Sequence, residues 1–213
     1  MAEAAAGHVA HALATRTRFR IAVSGGRTPA ELYRRLARAP GVEWDRCDVF
    51  FVDERAVPPD HPDSNWRLVT EHWLVPLEDR APHAHRMRGE AADLEAAARE
   101  YETLLETPLD LVVLGIGEDG HTASLFPGSP WTHERDRRVV VVSDSPKPPA
   151  RRLTITPRVL GEARELMMLA TGAEKAGAVA RALAPAGEVS ECPARLAREG
   201  GWWLDRVAAG LLR

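Results

Sequence analysis

Residues 111–126 have the sequence LVVLGIGEDGHTASLF, in which a short apolar run ends abruptly at glycines. A continuous apolar, β-branched run of this length is typical of a strand buried on both faces of a parallel sheet. Three glycines within six residues let the backbone adopt positive φ and approach a ligand closely. Asp119 and His121 lie two apart on this loop. The stretch therefore predicts either a catalytic strand-to-helix loop with His121 as acid and base, or a tight turn capped by Asp119.

The composition is that of an ordinary globular protein. A chain of 213 residues is long enough to bury one well-formed core. Hydrophobic residues make up 45% and charged residues 28%, which excludes a disordered or fibrous chain. A net charge of −3 gives no reason to expect nucleic acid or an anionic membrane surface as a partner. No stretch approaches the ~20 apolar residues of a membrane span.

Lysine is rare in this chain. Of the 28 basic residues only Lys147 and Lys175 are lysines, which leaves 26 arginines. Lys175 falls in the first turn of a predicted helix, where a cation opposes the helix dipole. A scarce lysine at such a position indicates a phosphate-binding role.

The two cysteines and the N-terminal residues indicate the cellular compartment of the protein. Cys47 and Cys192 are far apart and lack the spacing of metal ligands, so we expect reduced structural thiols. Residues 1–14 are rich in alanine and have no basic lead-in, which predicts a helix and not a signal peptide. We therefore expect a cytoplasmic protein.

Strand and helix patterns alternate along the chain. Apolar runs predict strands at residues 19–23, 48–52, 111–114, 138–142, 151–156 and 165–171. Periodicity and caps predict helices at residues 1–14, 30–38, 64–74 and 91–105, from 157, at 175–183, and after a capping Asp205. No repeat or linker divides them. We expect one α/β domain over residues 1–213, with a doubly wound, mainly parallel sheet and helices on both faces in a Rossmann-like arrangement.

A glycine-rich junction follows the first strand. Its residues are Ser24, Gly25, Gly26, Arg27, Thr28 and Pro29. Pro29 suits the first turn of a helix, and Thr28 is a good N-cap before it. Free backbone N–H groups and the helix dipole make such a junction a natural anion site. The alternative is a tight turn with an ordinary cap.

Charged residues follow the second strand. Asp53, Glu54 and Arg55 come directly after it, and Asn65 and Arg67 lie in the first turn of the next helix. The cluster is either functional or a salt-bridged loop. His83 and His85 alternate like a metal pair, but no third ligand with suitable spacing is nearby, so we expect no metal there.

The polar loops share one edge of the predicted sheet. In open α/β sheets, ligands bind beyond the carboxyl ends of the strands. Residues 24–28, 53–55, 115–121 and 172–175 all follow such ends. The sequence therefore predicts a site with anion-binding loops, one or two carboxylates and a histidine.

Three segments resemble the signature motifs of the 6-phosphogluconolactonase family, within the glucosamine/galactosamine-6-phosphate isomerase superfamily. They are SGGRTP at residues 24–29, DERAVPPDHPDSN at 53–65 and GIGEDGHTASLFPG at 115–128. RLTIT at 152–156, GAEK at 172–175 and WLD at 203–205 fit the same family. The resemblance implies hydrolysis of 6-phospho-D-glucono-1,5-lactone to 6-phospho-D-gluconate in the oxidative pentose phosphate pathway, without a metal or organic cofactor.

The resemblance also implies roles for individual residues. His121 would be the general base that activates water, with Asp119 or Asp53 orienting the imidazole or the water. The amides around Gly117 would stabilise the oxyanion. The substrate and its phosphate would be bound by Ser24, Gly25, Gly26, Arg27, Thr28, Arg55, Asn65, Arg67, Gly117, Arg152 and Lys175.

Two features depart from the family pattern. Arg27 stands where the family most often has a small hydroxyl residue, and the chain begins inside the first helix, where the family usually has a strand before it. We expect a monomer or weak homo-oligomer that binds a small sugar-phosphate lactone.

Two alternative functions remain. The related glucosamine-6-phosphate deaminase has a glutamate five residues after the histidine, and here that position is Phe126. A non-catalytic sugar-phosphate sensor would carry a DNA-binding extension, and no basic helix-turn-helix pattern is present in the sequence.

Overall fold

The computed structural model describes residues 1–212, and a parallel sheet lies at its centre. Its strands are β1 (Phe19–Val23), β2 (Cys47–Phe51), β3 (Asp53–Arg55), β4 (His83–Ala84), β5 (Leu111–Gly115), β6 (Val139–Val142), β7 (Arg152–Ile155), β8 (Leu166–Ala170) and β9 (Gly201–Leu204). Within the described residues, six strands form a sheet of order β4-β2-β1-β5-β8-β9, and every neighbouring pair is parallel. The predicted mainly parallel α/β fold is confirmed.

Helices connect these strands. They are α1 (Ala2–Ala14), α2 (Arg27–Ala37), α3 (Asn65–Val69), α4 (Val75–Leu77), α5 (Leu94–Leu104), α6 (Pro157–Glu162) and α7 (Ala176–Leu183). A π-helical stretch, Thr70–Leu74, joins α3 to α4, and short 3₁₀ turns occur at Trp44–Arg46, Glu78–Arg80, Pro130–His133, Ala173–Lys175 and Pro193–Ala197. No helix in residues 1–212 combines the length and apolar character needed to cross a membrane.

Strand β5 lies in the middle of the parallel sheet, between β1 and β8. Its residues Leu111, Val112, Val113 and Leu114 are all fully buried, because helices and loops cover both faces of a parallel sheet. An uninterrupted apolar run is what such a position requires. The prediction of a doubly buried strand at the start of the 111–126 stretch is confirmed.

The strand order reverses between β1 and β5. From β1 the chain proceeds to β2 and β4 on one side, whereas β8 and β9 follow β5 on the other. Right-handed crossovers that run in opposite directions place their helices on opposite faces of the sheet. The reversal also separates the loops that follow β1 and β5, which leaves a crevice at the carboxyl edge.

A second, antiparallel sheet of order β3-β7-β6 was not predicted. We expected Asp53–Arg55 to be a loop, but it forms β3 and pairs with β7. Val52 explains the change of sheet, because its N–H donates to the Val23 carbonyl (2.9 Å) while its own carbonyl accepts from the Ile155 N–H (2.8 Å). Val52 therefore connects the two sheets, and the next residue, Asp53, lies at the crevice.

The start of α2 also differs from the prediction. The helix begins at Arg27 with Gly26 as N-cap, so Thr28 is not the cap. Gly26 has a φ of 108°, a conformation that glycine adopts without strain, and no side-chain cap is formed. Thr28 instead hydrogen-bonds Thr171 after β8, at an Oγ1–Oγ1 distance of 2.7 Å.

The closing helix after Asp205 was predicted wrongly, because the described residues that follow it form turns only. Asp205 does cap them, since its carboxylate accepts from the N–H groups of Ala208 (2.8 Å) and Gly172 (3.1 Å). Val207 and Leu211 are 53% and 62% exposed, so the segment has no apolar stripe to bury. Short helices without such packing are unstable in water.

Glu54 fixes the geometry between β3 and α3. Its side chain is only 3% exposed and accepts four hydrogen bonds. The donors are the backbone N–H groups of Arg55, Asn65 and Trp66 (each 2.8 Å) and the Ser64 hydroxyl (3.0 Å). Burial raises the pKa of Glu54, although these hydrogen bonds oppose the shift. By binding the first N–H groups of α3, Glu54 sets Asn65 beside Asp53.

We predict that Glu54→Gln lowers the free energy of unfolding by ~1–3 kcal/mol, because an amide NH₂ would face N–H donors and leave them unsatisfied. Urea denaturation measures the change. Glu71→Gln is the matched control, since Glu71 is exposed and pairs with Arg67 on the helix surface, where such a pair contributes less than about 1 kcal/mol. Equal, small effects of the two substitutions would contradict the capping role of Glu54.

Candidate active site

A cleft of about 770 Å³ lies at the carboxyl edge of the parallel sheet. The residues that line it come from the start of α1, from the loops after β1, β5, β6, β8 and β9, from α2 and the end of β8, and from β3 and β7 of the antiparallel sheet. The loops that were expected to converge do meet at this cleft. Its cationic lining side chains are Arg27, Arg55, Lys147, Arg152 and Lys175.

Most of the candidate residues line the cleft. Those that do are Ser24, Gly25, Gly26, Arg27, Thr28, Asp53, Arg55, Gly117, His121, Arg152 and Lys175. Asp119 and Asn65 lie just behind this surface, where they hydrogen-bond His121 and Asp53 respectively. Arg67 lies apart, because its guanidinium pairs with Glu71 (2.6 Å) and donates to the Asp60 carbonyl (3.0 Å).

His121 and Asp119 form a close pair on the loop after β5. The Asp119 Oδ1 lies 2.6 Å from the His121 Nδ1 and accepts from the His121 backbone N–H at 3.2 Å. The Gly117 N–H donates to the His121 carbonyl (2.9 Å), and the Gly120 N–H donates to the Gly117 carbonyl (3.0 Å). A Cβ atom at Gly117 would overlap the His121 ring, and Gly120 has a φ of 96°. Both glycines are therefore required to fold the loop this tightly.

The pair also determines the tautomer of a neutral imidazole. Burial acts to raise the pKa of Asp119, but the hydrogen bond and charge of His121 outweigh it and hold that pKa well below its ordinary value. Asp119 is therefore an ionised acceptor near neutral pH, and the His121 Nδ1 carries the proton that it shares with Asp119. The Nε2 of a neutral His121 is then left with the lone pair that a general base needs.

Phe126 packs against the same imidazole. Its ring centroid lies 4.7 Å from that of His121, and its side chain is buried. The guanidinium carbon of Arg152 lies 5.6 Å from the Phe126 ring centroid. An apolar ring thus occupies the position that carries a glutamate in the deaminase loop.

Asp53 lies in a separate hydrogen-bond network. Its Oδ1 accepts from the Asn65 amide at 2.9 Å and its Oδ2 from the Ser124 hydroxyl at 2.7 Å. The Arg152 Nη1 lies 3.9 Å from the same Oδ2, so the buried carboxylate is compensated. Of the two carboxylates considered for orienting His121, Asp119 makes the hydrogen bond. Asp53 connects β3 to α3 and to the loop after β5.

The loop after β1 is the candidate anion-binding surface. Gly25 and Gly26 line the cleft and precede α2, whose first N–H groups have no side-chain cap. A Cβ atom at Gly25 would overlap Asn65, so only glycine allows this approach. Lys175 lines the same cleft from the loop after β8, with its Nζ 3.8 Å from Glu118.

Two polar groups at this edge lack an internal partner. Ser24 Oγ and Asn65 Oδ1 are buried and make no hydrogen bond to any other group in residues 1–212. Buried polar atoms are normally paired, so each exception needs an explanation. The Asn65 Oδ1 lies against Gly25 and the Ser24 Oγ lies near Gly115, and both glycines line the cleft, where a polar ligand would supply the missing partner.

The sequence interpretation missed two residues of the site, Lys147 and Ser124. The Lys147 Nζ lies 3.8 Å from the Asp119 Oδ1, and its side chain lines the cleft. The scarcity of lysine was the available signal, because both lysines of the chain lie at this cleft. Ser124 is small and buried and is recognisable only through its contact with Asp53.

His83, His85 and Cys47 lie away from the cleft, whereas Cys192 packs behind the His121 loop, with its Sγ 3.8 Å from the Gly120 carbonyl oxygen. The His85 Nε2 pairs with Asp48 at 3.0 Å and its ring stacks on Phe50, while His83 is exposed on β4. Across residues 1–212, no three His, Cys, Asp or Glu side chains are grouped as metal ligands. Cys47 and Cys192 are free and buried, and burial raises the pKa of both thiols.

Comparisons with known proteins identify the family. A family model described as glucosamine-6-phosphate isomerases/6-phosphogluconolactonase matches residues 1–204. A relative from Synechocystis sp. named 6-phosphogluconolactonase is 38% identical over 218 residues, which covers 96% of this chain and 89% of the relative. The crystal structure of a 6-phosphogluconolactonase from Shewanella baltica superposes with a TM-score of 0.85 at 27% identity, over 96% of this chain and 93% of that one.

The fold is shared more widely within this group. A monomeric glucosamine-6-phosphate deaminase superposes with a TM-score of 0.84 at 24% identity, over 99% of this chain and 95% of that one. Architecture alone therefore does not separate the two activities. The motif resemblance is nevertheless confirmed by the family match, and this chain belongs to the glucosamine-6-phosphate isomerase/6-phosphogluconolactonase family.

Proposed function

We propose that this protein hydrolyses 6-phospho-D-glucono-1,5-lactone to 6-phospho-D-gluconate, the lactone-opening step of the oxidative pentose phosphate pathway. The observation that carries the proposal is the His121–Asp119 pair at a cleft that also contains an anion-binding loop. The names of the relatives support the same reaction. The site must hold a dianionic phosphate at one end and a neutral acyl carbon at the other.

The phosphate is proposed to bind at the loop after β1. The amides of Gly25 and Gly26 and the α2 N-terminus present donors there, and Lys175 adds a cation from the facing loop. Arg152 supplies a second cation, although its guanidinium also donates to the carbonyls of Lys147 (2.9 Å) and Pro149 (3.0 Å). The phosphate thereby anchors the lactone with its C1 carbonyl near His121.

His121 is proposed to take a proton from water as the water attacks C1. It then delivers that proton to the ring oxygen as the C1–O bond breaks. Asp119 stabilises the imidazolium that forms in between, because it already accepts the Nδ1 proton. A positioned general base contributes ~10²–10⁴-fold to the rate. Backbone amides from Gly117 to Gly120 can stabilise the oxyanion, a contribution on the order of 10²–10³-fold.

The chemistry of this loop favours a lactonase over a deaminase. In the deaminase loop a glutamate five residues after the histidine takes part in ring opening, whereas here Phe126 packs on His121. Opening a lactone needs only one base and an oxyanion site, because the ester is already activated. The mechanism requires neither a metal nor an organic cofactor.

A coupled assay with freshly generated lactone, corrected for spontaneous opening, tests the proposal. We expect lactone hydrolysis well above the spontaneous rate and no ammonia release from glucosamine 6-phosphate. Ammonia release without lactone hydrolysis would make the protein a deaminase. Binding of sugar phosphates without either reaction would make it a sensor.

Three further expectations remain predictions. We expect residues 1–213 to behave as a single domain, the protein to be cytoplasmic, and the enzyme to be a monomer or weak homo-oligomer. Limited proteolysis, cell fractionation and analytical ultracentrifugation test them in turn.

We predict that His121→Ala lowers kcat by at least about 10²-fold, because it removes the general base. Binding of 6-phospho-D-gluconate, measured by calorimetry, should persist. His83→Ala is the control, since His83 is exposed on β4 and does not line the cleft. Near-normal turnover by the His121 variant would overturn the assignment of the base.

We predict that Lys175→Ala mainly raises KM, because it weakens binding of the phosphate equally in ground state and transition state. With unphosphorylated gluconolactone the loss should disappear. Arg152→Ala should raise KM as well and should also lower kcat, since Arg152 holds the carbonyls of the loop that carries Lys147. If both variants discriminate as well as the wild type for the phosphorylated substrate, these residues do not bind the phosphate.

We predict that Asp119→Asn lowers kcat. The low pKa of Asp119 keeps it negatively charged throughout the neutral range, so its carboxylate stabilises the imidazolium that forms when His121 takes a proton from water. A neutral amide at this position cannot do so, and steady-state kinetics at neutral pH measure the loss. Asp63→Asn is the control, because Asp63 is an exposed carboxylate that also pairs with a histidine, His61. An unchanged kcat in Asp119→Asn would contradict this role of the carboxylate.

A further inference from the structure

Lys147 lies at the catalytic end of the cleft. Its Nζ is 3.8 Å from the Asp119 Oδ1, the oxygen that also receives the Nδ1 hydrogen bond of His121. Its side chain is 43% exposed and lines the cleft together with His121. Lys175, the other lysine, reaches the cleft from a different loop, after β8, and pairs with Glu118. The two cations thus reach the cleft from separate loops.

The backbone of Lys147 is held on both sides. Its N–H donates to the Ser145 Oγ at 3.2 Å, and its carbonyl accepts from the Ser145 hydroxyl at 2.8 Å and from the Arg152 Nη2 at 2.9 Å. Arg152 is only 4% exposed and also donates to the carbonyls of Pro148 (3.1 Å) and Pro149 (3.0 Å). A solvated surface lysine needs no such support. The buried guanidinium fixes the loop that presents Lys147.

The proposed reaction creates a negative charge at one defined place. Water adds to C1, the C1–ring-oxygen bond breaks, and the ring oxygen takes up the proton that His121 removed from the water. The product acid then ionises and releases a proton to solvent. The lactone is therefore neutral at C1, whereas the transition state carries an oxyanion there and the product a carboxylate.

The charges around Asp119 balance this change. Before reaction, the Asp119 carboxylate faces the Lys147 ammonium and a neutral imidazole. In the transition state the positive charge of the His121 imidazolium neutralises the Asp119 carboxylate. The positive charge of Lys147 is then available to stabilise the oxyanion. A fixed cation next to the developing charge is the arrangement that accelerates acyl transfer.

We propose that Lys147 binds the negative charge that develops on the C1 oxygen and persists as the product carboxylate, with Arg152 as the positioning residue of its loop. This inference rests on the proposed lactonase function. It assigns Lys147 to the acyl end of the substrate, whereas Lys175 serves the phosphate end.

Two ligands with the same phosphate test the assignment. 6-Phospho-D-gluconate has a carboxylate at C1, and D-glucitol 6-phosphate has an uncharged hydroxymethyl group there. We expect Lys147→Met to weaken 6-phospho-D-gluconate binding by about 10- to 100-fold, the usual value of a charge-assisted contact. Binding of D-glucitol 6-phosphate should change by less than about twofold. Isothermal titration calorimetry measures both.

Kinetics provide a second readout. Because the lactone is neutral at C1, Lys147→Met should lower kcat by about 10- to 100-fold and leave KM nearly unchanged. Lys147→Arg, which keeps the charge, should restore part of the preference for 6-phospho-D-gluconate. Arg151→Met is the surface control, because Arg151 is exposed next to this loop and does not line the cleft. Thermal unfolding checks that each variant is folded.

The outcomes separate the explanations. Lys175→Met should weaken both ligands equally, and the same pattern in Lys147→Met would make Lys147 a phosphate ligand and overturn this inference alone. An unchanged affinity for both ligands in Lys147→Met would make Lys147 a solvated side chain, which also overturns it. A wild-type protein that binds neither ligand and does not hydrolyse the lactone would contradict the proposed function, and this inference with it.

Discussion

The parallel pairing of β5 with β1 and β8 is the constraint on which the rest of the molecule depends. Because β5 is buried on both faces, its own side chains are covered and the polar residues lie in the loop that follows its last residue, Gly115. The sheet order reverses between β1 and β5, so the loops after these two strands diverge around a crevice. The candidate anion-binding loop follows β1 and the loop of His121 follows β5, and both line that crevice.

The antiparallel sheet completes the site. Val52 bonds to both sheets, so β3 starts at the crevice and brings Asp53 there. Glu54 then attaches α3 to β3, and β7 carries Arg152 into the same volume. Asp53 and Arg152 are buried together and compensate each other's charge. Arg152 in turn donates hydrogen bonds to backbone carbonyls of the loop that carries Lys147 and holds that loop in place.

Features with a local physical cause can be predicted from the sequence. The buried strand β5, the glycine-rich junction after β1 and the carboxyl-edge loops all follow from periodicity, turn chemistry and the rule for open α/β sheets. Features that depend on a distant partner cannot be predicted in this way. Gly26 caps α2 in place of Thr28, whose hydroxyl bonds Thr171, and the segment after Asp205 lacks packing partners for a helix.

By itself, the sequence determined the fold class, the family and the His121 loop. These follow from apolar runs and motifs that are contiguous along the chain and do not depend on contacts between distant residues. Only the tertiary structure decided that Asp119 and not Asp53 hydrogen-bonds His121, and that Lys147 stands beside that pair. It also left Arg67 outside the cleft. The physical reason is that which charged side chains become neighbours depends on how separate loops pack together. That packing cannot be inferred from the spacing of residues along the chain.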